Sequence, residues 1–80
     1  MSSLFRLETD IIKDMEFGKI LKELRAEHGL SQMELSSATG ISQSAIAKWE
    51  LGKTEPSASA LVTLSKFFGE TVDFLLGLEN

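Results

Sequence analysis

An all-α fold follows from three features of this 80-residue chain. Apolar residues recur at three- and four-residue spacing, and five of the six glycines stand where such stretches stop. Ser31, Ser42, Ser57 and Thr71 each stand just ahead of a new stretch, where a hydroxyl oxygen satisfies an orphan helix amide. No segment alternates apolar and polar residues for long enough to make a strand. The expected helices lie near residues 16–28, 32–39, 43–51, 58–68 and 72–76.

In the first helix Phe17, Ile20, Leu21, Leu24 and His28 share one face. His28 stands beside Gly29, where a cation complements the helix dipole, so it reads as a cap. The second helix opens with Ser31 three residues before Glu34, the spacing of a reciprocal capping box, and stops at Gly40. Ile46 and Trp49 mark the inward face of the third helix. Pro56 turns the residue before it away from helical geometry, and Ser57 then opens the fourth helix, with Leu61, Leu64, Phe67 and Phe68 as its stripe. Phe74, Leu75 and Leu78 are expected to close the bundle. These elements make one domain over residues 16–80, preceded by an extension over residues 1–15. Leu4, Leu7, Ile11, Ile12 and Met15 keep helical spacing before Gly18 interrupts, so a short amphipathic helix and a disordered tail are both open.

Composition removes several function classes. With no cysteine and a single histidine, neither a disulfide nor a Cys/His metal site can form, and no metal or cofactor is expected. Apolar runs are too short to span a membrane, and Arg6, Glu8 and Asp10 break the stretch a signal peptide needs, so the cytoplasm is the expected compartment. The serines are accounted for by caps and tight packing, and no base accompanies any of them to make a nucleophile. Glu23 and Glu27 lie on a solvated face, where nothing desolvates a carboxylate for acid–base work. Gly52-Lys53-Thr54 ends like a phosphate-binding loop but lacks the preceding glycine and strand. No catalytic residue is assigned, and the chain is not expected to be an enzyme.

The informative stretch is Gln32 to Leu51. Gln32–Thr39 ends at Gly40, and Ile41-Ser42 opens the next helix with no room for a loop. Helices joined so tightly cross steeply, which asks for a small residue at the contact, supplied by Ser36, and for a left-handed turn at Gly40. Ile41, Ile46 and Trp49 lock the pair to the core. This is helix-turn-helix spacing, in which the second helix projects and can enter a major groove.

Leu30-Ser31-Gln32-x-Glu34-Leu35, Gly40-Ile41-Ser42-Gln43-Ser44, Ile46, Lys48-Trp49-Glu50, Gly52-Lys53-Thr54-Glu55-Pro56-Ser57, Leu61 and Asp73-Phe74-Leu75-Leu76-Gly77-Leu78 carry a resemblance. Over residues 16–78 the chain resembles the Cro and lambdoid-repressor type of helix-turn-helix, also called the xenobiotic-response-element family. The resemblance implies a five-helix domain that binds operator DNA as a two-fold dimer and regulates transcription, here expected to repress. It implies base reading by Gln43 and Ser44 with Lys48 one turn on, phosphate contacts from Gln32 and Lys53, and an Arg25–Glu50 ion pair tying the first helix to the third. Gln32 would also buttress Gln43. The helical wheel agrees: with Ile46 and Trp49 inward, Ser44, Ala47, Lys48 and Leu51 point outward and Gln43 lies on the exposed flank. A glutamine amide matches the N7 acceptor and N6 donor of adenine, while Ser44 and Ala47 are small enough to approach thymine methyls. The amides following Ser31 and Ser42 offer positive dipole ends to phosphates.

Four residues depart from the family's common pattern, which concerns affinity and site preference rather than fold. Leu51 replaces a polar or basic residue, Ala45 and Ala47 replace serine or threonine, and Thr39 is more polar than the usual packing residue. The net charge of −4 also stands against a polyanion. Yet Lys19, Lys22 and Arg25 gather on the first helix and Lys48 and Lys53 flank the third, while Glu8, Asp10, Asp14, Glu70, Asp73 and Glu79 lie elsewhere. Few basic contacts imply a shallow salt dependence. Dimer contacts are sought at Leu51, at Leu75–Leu78 and in the stripe of residues 4–15. A second reading is a protein-interaction module, such as an antitoxin that holds a toxin and autoregulates its operon, for which only that N-terminal stripe could bind the partner.

Overall fold

A computed structural model describes residues 16–79, and among these the chain is all-helical with no strand. Helix α1 runs through residues 16–27. It is followed by α2 (Gln32–Thr39), α3 (Gln43–Glu50), α4 (Ala58–Phe68) and α5 (Val72–Leu75). The extension over residues 1–15, its apolar stripe and the toxin-binding reading that depends on it lie outside the described residues. No helix among the described residues is long and apolar enough to cross a membrane.

Every start from α2 onward is capped as the hydroxyl positions predict. Ser31 Oγ accepts from the Glu34 amide at 3.0 Å while Glu34 Oε1 accepts from the Ser31 amide at 2.8 Å, completing the capping box. The Ser31 amide, and then its hydroxyl, hold the Glu34 carboxyl below the usual carboxylate range. Ser42, Ser57 and Thr71 accept from Ala45, Ala60 and Phe74 at 3.1, 3.1 and 3.0 Å. Such caps contribute roughly 1 kcal/mol each. The helices end one residue short of the expected 28, 51 and 76, because the final residue sits outside the ladder as its cap.

The turn between α2 and α3 is closed by Gly40, whose φ of 77° only a residue without Cβ adopts cheaply and whose N–H donates to Ser36 O at 2.9 Å. Thr39, an unusual choice on family grounds, serves this turn. Its hydroxyl donates to Leu35 O at 2.8 Å and accepts from the Ile41 amide at 3.2 Å.

One core unites all five helices: Phe17, Leu21 and Leu24 from α1, Leu35 from α2, Ile46 and Trp49 from α3, Ala60, Leu64 and Phe68 from α4, and Leu75 from α5. The Phe17 and Trp49 rings meet edge to face, 6.0 Å between centroids, joining α1 to α3. His28 Nδ1 donates to Leu24 O at 2.9 Å, capping the end of α1, while its ring lies edge-on to Phe68.

Two packing expectations need correction. Phe67 is 39% exposed rather than in the core. Neighbours on a helix point about 100° apart, and the buried phase of α4 is Ala60–Leu64–Phe68, so Phe67 covers the flank, its ring edge-on to Phe68. In the segment Leu75–Leu78, Leu75 is fully buried and cannot meet a partner, whereas Leu78, expected to close the bundle, is exposed.

Gly18 lies within α1, as the expected bounds placed it, while the apolar stripe that it was expected to interrupt lies outside the described residues. The role of Gly18 is spatial. A Cβ built there would stand 2.3 Å from Trp49 O and 3.2 Å from Glu50 Cα, so α1 and the end of α3 touch backbone to backbone. That close approach sets the Glu50 end of α3 against α1.

Candidate functional site

The inner face of α3 is fixed by Ile46 and Trp49, both buried, so the rest of the helix presents a defined outer face. Gln43, Ser44 and Lys48 are exposed on it and Ala47 is half-buried. Leu51, just beyond, is 70% exposed. Ser42 is exposed too, its oxygen engaged by the Ala45 amide while its hydroxyl hydrogen remains able to donate. The first amides of α2 and α3, at Gln32 and Gln43, have no intrahelical acceptor. Lys53 is exposed past α3, its backbone amide already bonded to Lys48 O at 2.9 Å, so only the ammonium group is free to contact an anion.

Behind this face runs a hydrogen-bonded chain that crosses three helices. Arg25 of α1 grips Glu50 of α3 in a fork, Nε to Oε2 at 2.7 Å and Nη2 to Oε1 at 2.9 Å, and its Nη1 donates to Leu30 O at 2.9 Å. The two side chains are only 15% and 5% exposed. Glu50 Oε1 also accepts from Gln32 Nε2 at 2.9 Å, and Gln32 Oε1 accepts from Gln43 Nε2 at 2.9 Å. Burial pushes the Glu50 carboxyl up, but bonds from Arg25 and Gln32 and the charges of Arg25 and Lys22 outweigh it and hold the group below its ordinary range. The same fork raises Arg25, which stays charged throughout the accessible pH range.

This chain joins four residues named from the sequence, Arg25, Glu50, Gln32 and Gln43. Sequence reasoning missed the Gln32–Glu50 link, which depends on how three helices cross and leaves no mark in residue spacing. It also counted Arg25 with the basic face, whereas the guanidinium is spent on Glu50. Among the described residues, the exposed cations on this side are lysines. Lys22 is exposed beside Arg25, Gln32, Ala47, Glu50 and Leu51 along a shallow groove between α1 and α3. Lys19, Lys48 and Lys53 are exposed as well.

Comparison with known proteins places this arrangement. A family model described as Helix-turn-helix matches residues 21–75. The HTH-type transcriptional activator BcrR of Enterococcus faecalis is 43% identical over 66 residues, covering 82% of this chain and 32% of the relative. The SPbeta prophage-derived uncharacterized HTH-type transcriptional regulator YonR of Bacillus subtilis is 40% identical over 60 residues, 75% of this chain and 56% of the relative. An uncharacterized HTH-type transcriptional regulator of Methanocaldococcus jannaschii, MJ0272, is 38% identical over 60 residues, 75% of this chain and 91% of the relative. The chain thus spans about a third of the first relative and little more than half of the second. No solved structure matches it significantly.

Proposed function

The chain belongs to the Cro/C1-type helix-turn-helix family, and from that premise we propose that it is a sequence-specific DNA-binding regulator of transcription whose helix α3 enters the major groove. The observation that carries this reading is the outer face of α3. Gln43 is held by Gln32 at the exposed N-terminal end, on a helix whose opposite side is locked into the core. A side chain held before contact loses little freedom on binding, which is what base reading requires. In this reading Gln43, Ser44, Ala47 and Lys48 face base edges, and Gln32, Ser42 and Lys53 face phosphates. Two copies act on a palindromic operator, because one recognition helix reads too few base pairs to single out a genomic site. Leu51 and Leu78, both exposed, are the side chains in this reading that meet the second copy. Repression is the simplest output, since occupying an operator is enough to exclude polymerase, whereas activation needs a further contact with it. The relative named as an activator shares this region, so a reporter placed behind the operator decides the sign.

Base contacts and phosphate contacts separate by substitution. Gln43→Ala is expected to cost ~1–3 kcal/mol against the preferred base at one operator position and almost nothing against the others. Lys53→Ala is expected to weaken every duplex alike and to lower the slope of log K against log salt by roughly one unit. Titrations of a duplex panel at several salt concentrations give both numbers. Uniform loss in Gln43→Ala would make it a phosphate contact and refute its place in base reading.

A further inference from the structure

We propose that Glu50 is a positioning residue for base recognition: through Gln32 it fixes which edge of the Gln43 amide faces the groove, and so the base that Gln43 selects. This rests on the DNA-binding reading above. The reasoning is donor–acceptor accounting along the observed chain. A carboxylate only accepts, so the NH2 group of Gln32 must face Glu50, as its Nε2–Oε1 contact of 2.9 Å shows. The carbonyl oxygen of Gln32 is then the atom left for Gln43, and only the NH2 group of Gln43 can answer it, again at 2.9 Å. What Gln43 has left is its carbonyl oxygen and one N–H. That pair matches the N6 donor and N7 acceptor of adenine. Turned over, the same amide would present both N–H groups outward, suited to the two acceptors, O6 and N7, of guanine. Arg25 completes the device, because its fork holds the carboxylate in one orientation from the opposite side. Glu50, with a side chain 5% exposed, exerts this selection without touching a base.

Two variants break the relay at different links. Gln32→Met keeps length and helix preference but removes the amide between Glu50 and Gln43. Arg25→Met/Glu50→Leu removes the anchor without leaving an unpaired charge, and Glu50→Gln, no longer an acceptor alone, replaces it if that double variant does not fold. The measurement begins with the duplex that the wild-type chain selects from a random library. The position whose preference disappears in Gln43→Ala is then varied through all four bases. The wild type should prefer adenine over guanine there by roughly tenfold or more. In each relay variant that ratio should fall to within about threefold, while preferences at all other positions stay as they were. Any uniform loss from a missing phosphate contact cancels in the ratio, and circular dichroism establishes that each variant is folded. A folded variant that keeps the adenine preference, or a wild type whose Gln43-dependent base is not adenine, overturns the proposal and leaves the DNA-binding reading standing. A wild-type chain that enriches no sequence overturns both.

Discussion

Either Arg25→Met or Glu50→Leu alone is expected to lower the unfolding free energy by about 3 kcal/mol, and the two together by much less than the sum. Each single change strands the other charge in a site where the pair is 15% and 5% exposed. Arg25→Met also strands Glu50 Oε1 with Gln32 as its one remaining donor, and leaves Leu30 O without the Nη1 bond. A domain of this size holds only ~3–5 kcal/mol in its core, so either single variant sits close to unfolding. Replacing both partners with apolar side chains removes the desolvation cost along with the attraction, which is why the double variant recovers. Thermal unfolding of the four-member cycle measures the coupling. Additive losses would mean that the fork contributes no net pairing.

The same pair sets an acid limit. The folded-state value of Glu50 lies below the ordinary carboxylate value of about 4.3, so the unfolded chain takes up the proton first as pH falls. The stabilisation is fully present above about pH 5 and is lost as pH drops through the folded-state value. Glu34, lowered by its capping bonds, acts with the same sign. The fall in melting temperature below about pH 4 should therefore be shallower in Arg25→Met/Glu50→Leu than in the wild type.

Gly18→Ala is expected to destabilise by about 3 kcal/mol, the upper end of ordinary overpacking. The direction is the opposite of what helix propensity dictates, since alanine in place of a glycine inside a helix normally gains up to about 1 kcal/mol. Here the added methyl meets backbone, 2.3 Å from Trp49 O and 3.2 Å from Glu50 Cα, and neither atom can swing aside as a side chain can. Relief requires α1 and the end of α3 to separate, pulling Arg25 from Glu50. Ala26→Gly, at an exposed position of the same helix, provides the reference for propensity alone. A melting temperature raised by Gly18→Ala would show that the two helices do not approach this closely.

Much of the fold was legible because its signals are local. Ser31, Ser42, Ser57 and Thr71 act on amides three residues away, and Gly40 acts on its own φ, so spacing alone located the bounds of α2 to α5 to within a residue. The packing role of Gly18 left no local signal, because its reason lies 31 positions along the chain, in the carbonyl of Trp49. Phe67 was misplaced because an aromatic pair on adjacent residues does not reveal which ring takes the core. For the candidate site, the wheel gave the outer face of α3 and the family resemblance named the four residues of the hydrogen-bonded chain. The direction of that chain, from carboxylate to groove, emerged only when the three helices were assembled.

Selection of bound duplexes from a random library, run in parallel with wild-type chain and Gln43→Ala, tests the DNA-reading role of α3 most directly. The wild type should enrich two symmetric half-sites with centres roughly 10 base pairs apart, and Gln43→Ala should lose preference at one symmetric pair of positions within them. A wild-type pool with no enriched motif, or a motif that Gln43→Ala leaves unchanged, would contradict it.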